Sequence, residues 1–198
     1  QYLTFAAAGA VAKSIKKPAN LSTSIKWPND VHYKGKKLCG ILTEGTFPAN
    51  YVAVGIGINV NQDKFPNEIK HTAISLKMIK NKTIDIKKLL KTIASEFFKL
   101  YNNYYNTREN SKNFLHTKFK NFVVPRNFEK ISLENKLEKI PKIWKKYCDT
   151  INKNITVTAR TKKLNGKAIG IDKDGSLLVE LHNKKIIKVL EGDVSVKY

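Results

Sequence analysis

Long apolar runs are missing from this sequence. None approaches the roughly 18–20 residues that a membrane-spanning helix needs. The start, Gln1-Tyr2-Leu3-Thr4-Phe5, has neither a charged leader nor an initiator Met, so no signal peptide is expected and the sequence reads as a piece of a longer chain. Cysteine is scarce. Cys39 and Cys148 are the two present, far apart and without metal-ligand spacing, which suits a reducing compartment, cytoplasmic or organellar. His32, His71, His116 and His182 share no metal spacing either, and His32 is expected on a hairpin surface. Acidic residues are also few, 16 against 37 Lys and Arg, for a formal charge of +21. A polyanion partner would favour such an excess. Here, however, the lysines are scattered with asparagines along nearly every loop, and compositional drift produces the same total. Lys184, Lys185 and Lys188 cluster without the interleaved aromatics that mark a nucleic-acid surface, so no nucleic acid and no membrane are expected as partners.

What is present is a core. Hydrophobic residues make up 41% of 198, which excludes a wholly disordered chain and allows one larger domain or one ordinary domain with a small second one. Thr4 to Ile15 is Ala-rich with Phe5, Ala8, Val11, Ala12 and Ile15 at helical spacing, and Pro18 ends it. Ser24 to Trp27 alternates like a strand and stops at Pro28. Tyr33-Lys34-Gly35-Lys36 is a hairpin turn leading into Leu38 to Glu44. Tyr51 to Val60, apolar but for Gly55 and Gly57, suits a central strand buried on both faces. Ile84 to Tyr105 is the clearest helix, with Asp85 as N-cap and a stripe of Ile86, Leu89, Leu90, Ile93, Phe97, Leu100, Tyr101 and Tyr104. Residues 107–142 grow rich in Lys and Asn and read as an insertion, and Ile143 to Tyr147 resumes an amphipathic pattern. Five short strands then follow: 155–159, 166–171, 176–181, 185–190 and 194–197. Asn165-Gly166, Asp174-Gly175 and His182-Asn183 stand between them at hairpin spacing, as in a small SH3-like barrel.

Three strings carry chemistry. Lys26-Trp27-Pro28-Asn29-Asp30 gathers a cation, an aromatic, an amide and a carboxylate at a strand end, where ligand contacts concentrate, although a solvated loop also uses Asn and Asp. In Lys36-Lys37-Leu38-Cys39-Gly40-Ile41-Leu42, taking Leu42 as a core residue puts Lys37 and Cys39 opposite Leu38 and Gly40. A lysine beside a pocket favours developing negative charge, and Gly40 admits a ligand to the backbone; two surface lysines entering a strand is the plainer account. Gly55-Ile56-Gly57-Ile58-Asn59 is not a dinucleotide fingerprint, since no third glycine opens a helix. Its glycines mark a close approach, and Asn59 offers both donor and acceptor.

In this order and spacing the three strings resemble biotin protein ligases, which carry K-W-P-N-D, a short hairpin, K-x-x-G-I-L and a strand ending G-x-G-I-N. The Ala-rich helix before them, Thr72-Ala73-Ile74-Ser75-Leu76 and a long helix after them, and the terminal small barrel fit as well. The resemblance implies an α+β fold. A mixed β-sheet flanked by helices would form a biotin/lipoate ligase-like catalytic core over 1–149, followed by an SH3-like domain over 150–198.

It also implies an ATP-dependent biotin–[acetyl-CoA carboxylase] ligase, forming biotinyl-5′-AMP and then a C–N bond to a lysine of a biotin carboxyl carrier domain. Lys37, Lys26 and Asp30 would be catalytic: Lys37 on the biotin carboxylate, Lys26 on phosphate, Asp30 accepting the proton of the incoming lysine. Lys37, Gly40, Leu42, Gly55 and Gly57 would line the biotin site, and Lys26, Trp27, Asn29, Ile58 and Asn59 the nucleotide site. ATP and Mg²⁺ are the implied co-reactants. Mg²⁺ would be held through phosphates with Asn29 and Asn59 nearby and no dedicated protein cage. A homodimer is compatible with the family. Members place a loop of the form G-R-G-R-x-G-R before the Ala-rich helix; with nothing before Gln1, the sequence is expected to hold only part of the site. Lipoate ligases and octanoyl transferases share the core fold but are not expected to carry the Lys26–Asp30 string, and the terminal barrel fits biotin ligases better.

Overall fold

The computed structural model describes residues 2–19, 21–45, 51–105, 124–125, 144–159, 162–190 and 192–196. Helix α1 (Tyr2–Ala19) buries Phe5, Ala8, Val11, Ala12 and Ile15, and also Ala7 and Ala10 off that stripe. A helix apolar on nearly every side is a core helix, and α1 lies between the first sheet and the long helix α3. The first sheet runs β1 (Ser24–Lys26), β2 (Asp30–Tyr33), β3 (Lys36–Gly45), β4 (Tyr51–Ile58) and β5 (Val124–Pro125), antiparallel in that order. Parallel pairing enters at two isolated bridges, Ile25 with Cys148 and Lys37 with Ala73. The β2–β3 turn is the expected one, with positive φ at Lys34 (48°) and Gly35 (77°), as a two-residue type I′ hairpin requires.

Two expectations about this sheet fail. Strand β4 is not buried on both faces: half-buried Val54, Ile56 and Ile58 alternate with exposed Ala53, Gly55 and Gly57. Leu42 is not a core residue but 59% exposed, on that same open face through its pairing with Gly55. The apolar side chains on the other face pack into the core with α1. Glycine and alanine raise the apolar count of β4 without adding side chains that demand burial.

Ser75 caps the short helix α2 (Leu76–Lys80) by accepting the Met78 amide at 3.1 Å. Asp85 caps α3 (Ile86–Tyr105), its carboxylate accepting the Lys88 amide at 3.0 Å. Of the α3 stripe, Ile93, Phe97 and Leu100 are buried, while Ile86 and Leu90 are largely exposed near the helix start. Glu96 joins α3 to α1, 2.6 Å from Lys13 Nζ and 3.1 Å from Lys99 Nζ.

Of residues 107–142 only Val124–Pro125 is among those described. Trp144–Tyr147 makes one helical turn, with Trp144 fully buried against Phe5. The second sheet follows, with β6 (Asn154–Ala159), β7 (Lys162–Ile171), β8 (Leu177–Glu180), β9 (Ile186–Val189) and β10 (Asp193–Val196) antiparallel in the order β10-β6-β7-β8-β9. This is the SH3-like arrangement expected, around Ile155, Val157, Ala168, Leu177 and Val179. Asp174-Gly175 and His182-Asn183 are turns, but Asn165-Gly166 is not. It lies inside β7, where Gly166 lets β8 approach: a Cβ there would stand 2.6 Å from the Glu180 carbonyl oxygen.

Candidate active site

A β-bulge builds the site. Asp30 pairs with Gly40 and Val31 with Cys39, but His32 pairs with Lys37, leaving Leu38 as the extra residue on β3. The bulge returns Lys37 to the face of Gly40, so the strict alternation that would have separated them does not hold. Cys39 points the other way and is buried. Burial first, then the Asp30 charge, push its thiol up to about 12, against the opposing pull of Lys37. Both cysteines are free thiols. The Lys37 backbone is held by the segment ahead of α2: its amide donates to the Thr72 carbonyl at 2.7 Å, and the Ile74 amide donates to its carbonyl at 3.0 Å.

On this face Lys37 Nζ is 2.8 Å from Asp30 Oδ1, and His32 Nε2 is 3.9 Å from Asp30 Oδ2. Burial works to raise the Asp30 pKa. The neighbouring His32 and Lys37 side chains outweigh it and hold the carboxyl below its ordinary value. Around the pair is a cavity of about 440 Å³, within the range of small-molecule sites. Lys26, Asp30, His32, Lys37 and Cys39 are among its lining, with Gly40, Gly57 and Asn59 beside them. Phe65, Ile69, Thr72 and Ala73 form another wall.

The glycines differ in what they do. A Cβ on Gly40 would meet Lys37 Cε at 3.1 Å and Nζ at 3.2 Å, so Gly40 makes room for the lysine. At Gly55 and Gly57 the nearest contacts would be 3.6 and 3.7 Å, ordinary van der Waals distances. The fold does not need glycine at those two positions, and their smallness leaves bare backbone on the open face.

Lys26, Asp30, Lys37, Gly40, Gly57 and Asn59 thus come together at one cavity. Leu42 and Gly55 lie further along the same open face. Trp27, Asn29 and Ile58 do not line the cavity. Trp27 is 1% exposed, its indole N–H donating to the Gly175 carbonyl at 3.2 Å and its amide to Thr150 Oγ1 at 3.0 Å, so it ties the first sheet to the second. Asn29 donates its side-chain amide to the Ile41 carbonyl at 2.7 Å, while the Ile41 amide donates back to its backbone carbonyl. Asn59 reaches the Lys37 carbonyl at 3.4 Å. His32, expected on the surface, is buried at 8% exposure and lines the cavity. Its spacing of two from Asp30 on one strand was the signal for this. No sequence signal marked Phe65.

The sequence model of the Biotin/lipoate A/B protein ligase family matches residues 1–61, and that of the Biotin protein ligase C terminal domain matches residues 150–197. The chain belongs to the biotin protein ligase family. It is 34% identical over 199 residues, 98% of its length, to the bifunctional ligase/repressor BirA of Bacillus subtilis, 52% of which is covered. It is 48% identical over 54 residues to the biotin–[acetyl-CoA-carboxylase] ligase of Mycobacterium tuberculosis, covering 27% of this chain and 19% of that protein. The chain therefore spans about half the length of the relative it matches along nearly all of its own. In fold it is similar to the biotin protein ligase of Aquifex aeolicus solved in complex with biotin and ATP, with a TM-score of 0.75 at 23% identity, covering 99% of this chain and 71% of that one. The apo structure of the Aquifex ligase gives 0.76 with 75% of that chain covered.

Proposed function

We propose that this chain carries the activating and transferring site of an ATP-dependent biotin–protein ligase, with 1–149 as catalytic core and 150–198 as a buttressing second unit. The observation that carries the proposal is the cavity in which two lysines flank side-chain-free backbone at Gly40 and Gly57. That combination suits a substrate bringing a carboxylate and a phosphate to one point. The biotin carboxylate would attack the α-phosphorus of ATP, pyrophosphate would leave, and biotinyl-5′-AMP would form. The amine of a carrier-domain lysine would then attack the mixed anhydride carbonyl, releasing AMP and leaving an amide.

Lys37 is the group for both steps, since negative charge grows first on the phosphoryl oxygens and then on the tetrahedral oxyanion. Lys26 would neutralise phosphate, and Asn59 would meet the nucleotide. Asn29, whose amide serves Ile41, would act through its remaining oxygen and by fixing the loop. Asp30 suits holding Lys37 better than accepting a proton, because a carboxylate with a lowered pKa is a weaker base. Among the described residues no cluster of His, Cys, Asp or Glu could hold a metal. Mg²⁺ would arrive on the triphosphate and neutralise its charge there.

The test supplies the full-length protein with ATP, Mg²⁺, a carrier domain and one of biotin, lipoate or octanoate, and reads products by mass spectrometry. Biotinyl-5′-AMP and a carrier heavier by one biotin are expected. An adenylate with lipoate or octanoate alone would overturn the proposal in favour of the sister class.

A further inference from the structure

His32 takes no part in the chemistry above, yet it is held in two directions. Its Nδ1 lies 3.2 Å from the Gly35 carbonyl oxygen in the β2–β3 turn, and its Nε2 lies 3.9 Å from Asp30 Oδ2. Nε2 is buried and makes no hydrogen bond. A carbonyl only accepts, so the bond to Gly35 requires the proton on Nδ1. The ring can then donate to Asp30 as well only when Nε2 also carries a proton. The groups facing the ring are therefore the Gly35 carbonyl and the Asp30 carboxylate, with Lys37 opposite it across the strand pair and Lys26 in the same cavity.

We infer that His32 is a positioning residue for Lys37, acting through their shared partner Asp30; the inference rests on the ligase function proposed above. Lys37 sits on Asp30 and must leave it to touch a substrate carboxylate or phosphate. Doing so strands a half-buried carboxylate without its cation, which is costly. His32 is anchored at the turn with Nε2 already aimed at the other carboxylate oxygen. A closure of about 1 Å brings that pair to hydrogen-bond distance. Asp30 thus passes from Lys37 to His32, and the lysine is free to engage the substrate.

The experiment is a double-mutant cycle in the full-length protein, with His32→Leu, His32→Gln and Asp30→Asn alone and combined, read by kcat and KM for adenylate formation. His32→Leu should lower kcat roughly tenfold, about the size of one lost charge-assisted bond, with KM for biotin and ATP nearly unchanged. His32→Gln should recover part of the loss. In the Asp30→Asn background the same substitutions should cost nothing further. Additive losses, or a change confined to KM, would overturn the inference.

A second readout needs no turnover. In ¹⁵N-histidine spectra the Nε2 resonance of His32 should shift on Asp30→Asn and move again when biotinyl-5′-AMP is added. An Nε2 signal indifferent to Asp30 would overturn the inference even in an active ligase. A coupled signal in a protein that makes no adenylate would sink the ligase proposal and leave the His32–Asp30 link standing.

Discussion

The Lys37 side chain lies over Gly40 so closely that a Cβ there would stand 3.1 Å from its Cε and 3.2 Å from its Nζ. One missing methyl thus decides where the ammonium can go. The neighbour that must give way is the far end of a flexible chain rather than backbone, so Gly40→Ala should fold. We expect its melting temperature within a few degrees of the parent and biotin activation down by at least roughly tenfold, as a displaced charge near the reacting atoms would give. A variant with full activity would show that the lysine does not need this path.

Asp30→Asn tests the pair from the other side. The Asp30 carboxyl sits below its ordinary value of 3.8, so its contribution to stability is complete above that value and is lost as pH falls through the lower, folded-state value. The parent should therefore be more stable than Asp30→Asn at pH 7, with the gap narrowing below about pH 4. Thermal denaturation of both at pH 7, 4 and 3 measures it. A gap that widens on acidification would contradict the assigned direction.

Much of this site could be read from the chain. Lys26, Asp30, Lys37, Gly40 and Asn59 stand in strings whose order points to one family, and all five meet at one cavity. What escaped was geometry that needs a partner strand. The bulge at Leu38 is a register shift between β2 and β3, invisible to alternation along either alone, and so alternation sets Lys37 opposite Gly40 rather than beside it. Trp27 sits within the Lys26–Asp30 string but meets Gly175 and Thr150, more than a hundred residues away. Gly166 follows Asn as in a hairpin turn, yet its purpose is the approach of β8. Local patterns report neighbours along the chain, and these three features depend on neighbours across it.

Trp27→Phe should weaken the joint between the two sheets. Phenylalanine keeps most of the buried ring but leaves the Gly175 carbonyl without its donor. A loss of about 1–3 kcal/mol is expected from one unpaired buried acceptor. Urea denaturation followed in both sheets measures it, and an unchanged midpoint would mean that the indole bond contributes nothing.

Cys39 should be inert in the folded protein. At 1% exposure, with its thiol pushed up to about 12 by burial first and the Asp30 charge second, it has almost no thiolate at pH 8. Iodoacetamide at that pH should label Cys39 only after denaturation, as peptide mass mapping would show. Rapid labelling of the native protein would mean that β3 opens.

The central claim is that Lys37 activates biotin in this cavity, and pyrophosphate release from ATP by the full-length protein tests it most directly. Release should depend on biotin and fall by at least about a hundredfold in Lys37→Ala, the scale seen when a preorganised charge is removed from a transition state. Biotin-dependent release that survives Lys37→Ala unchanged would contradict it.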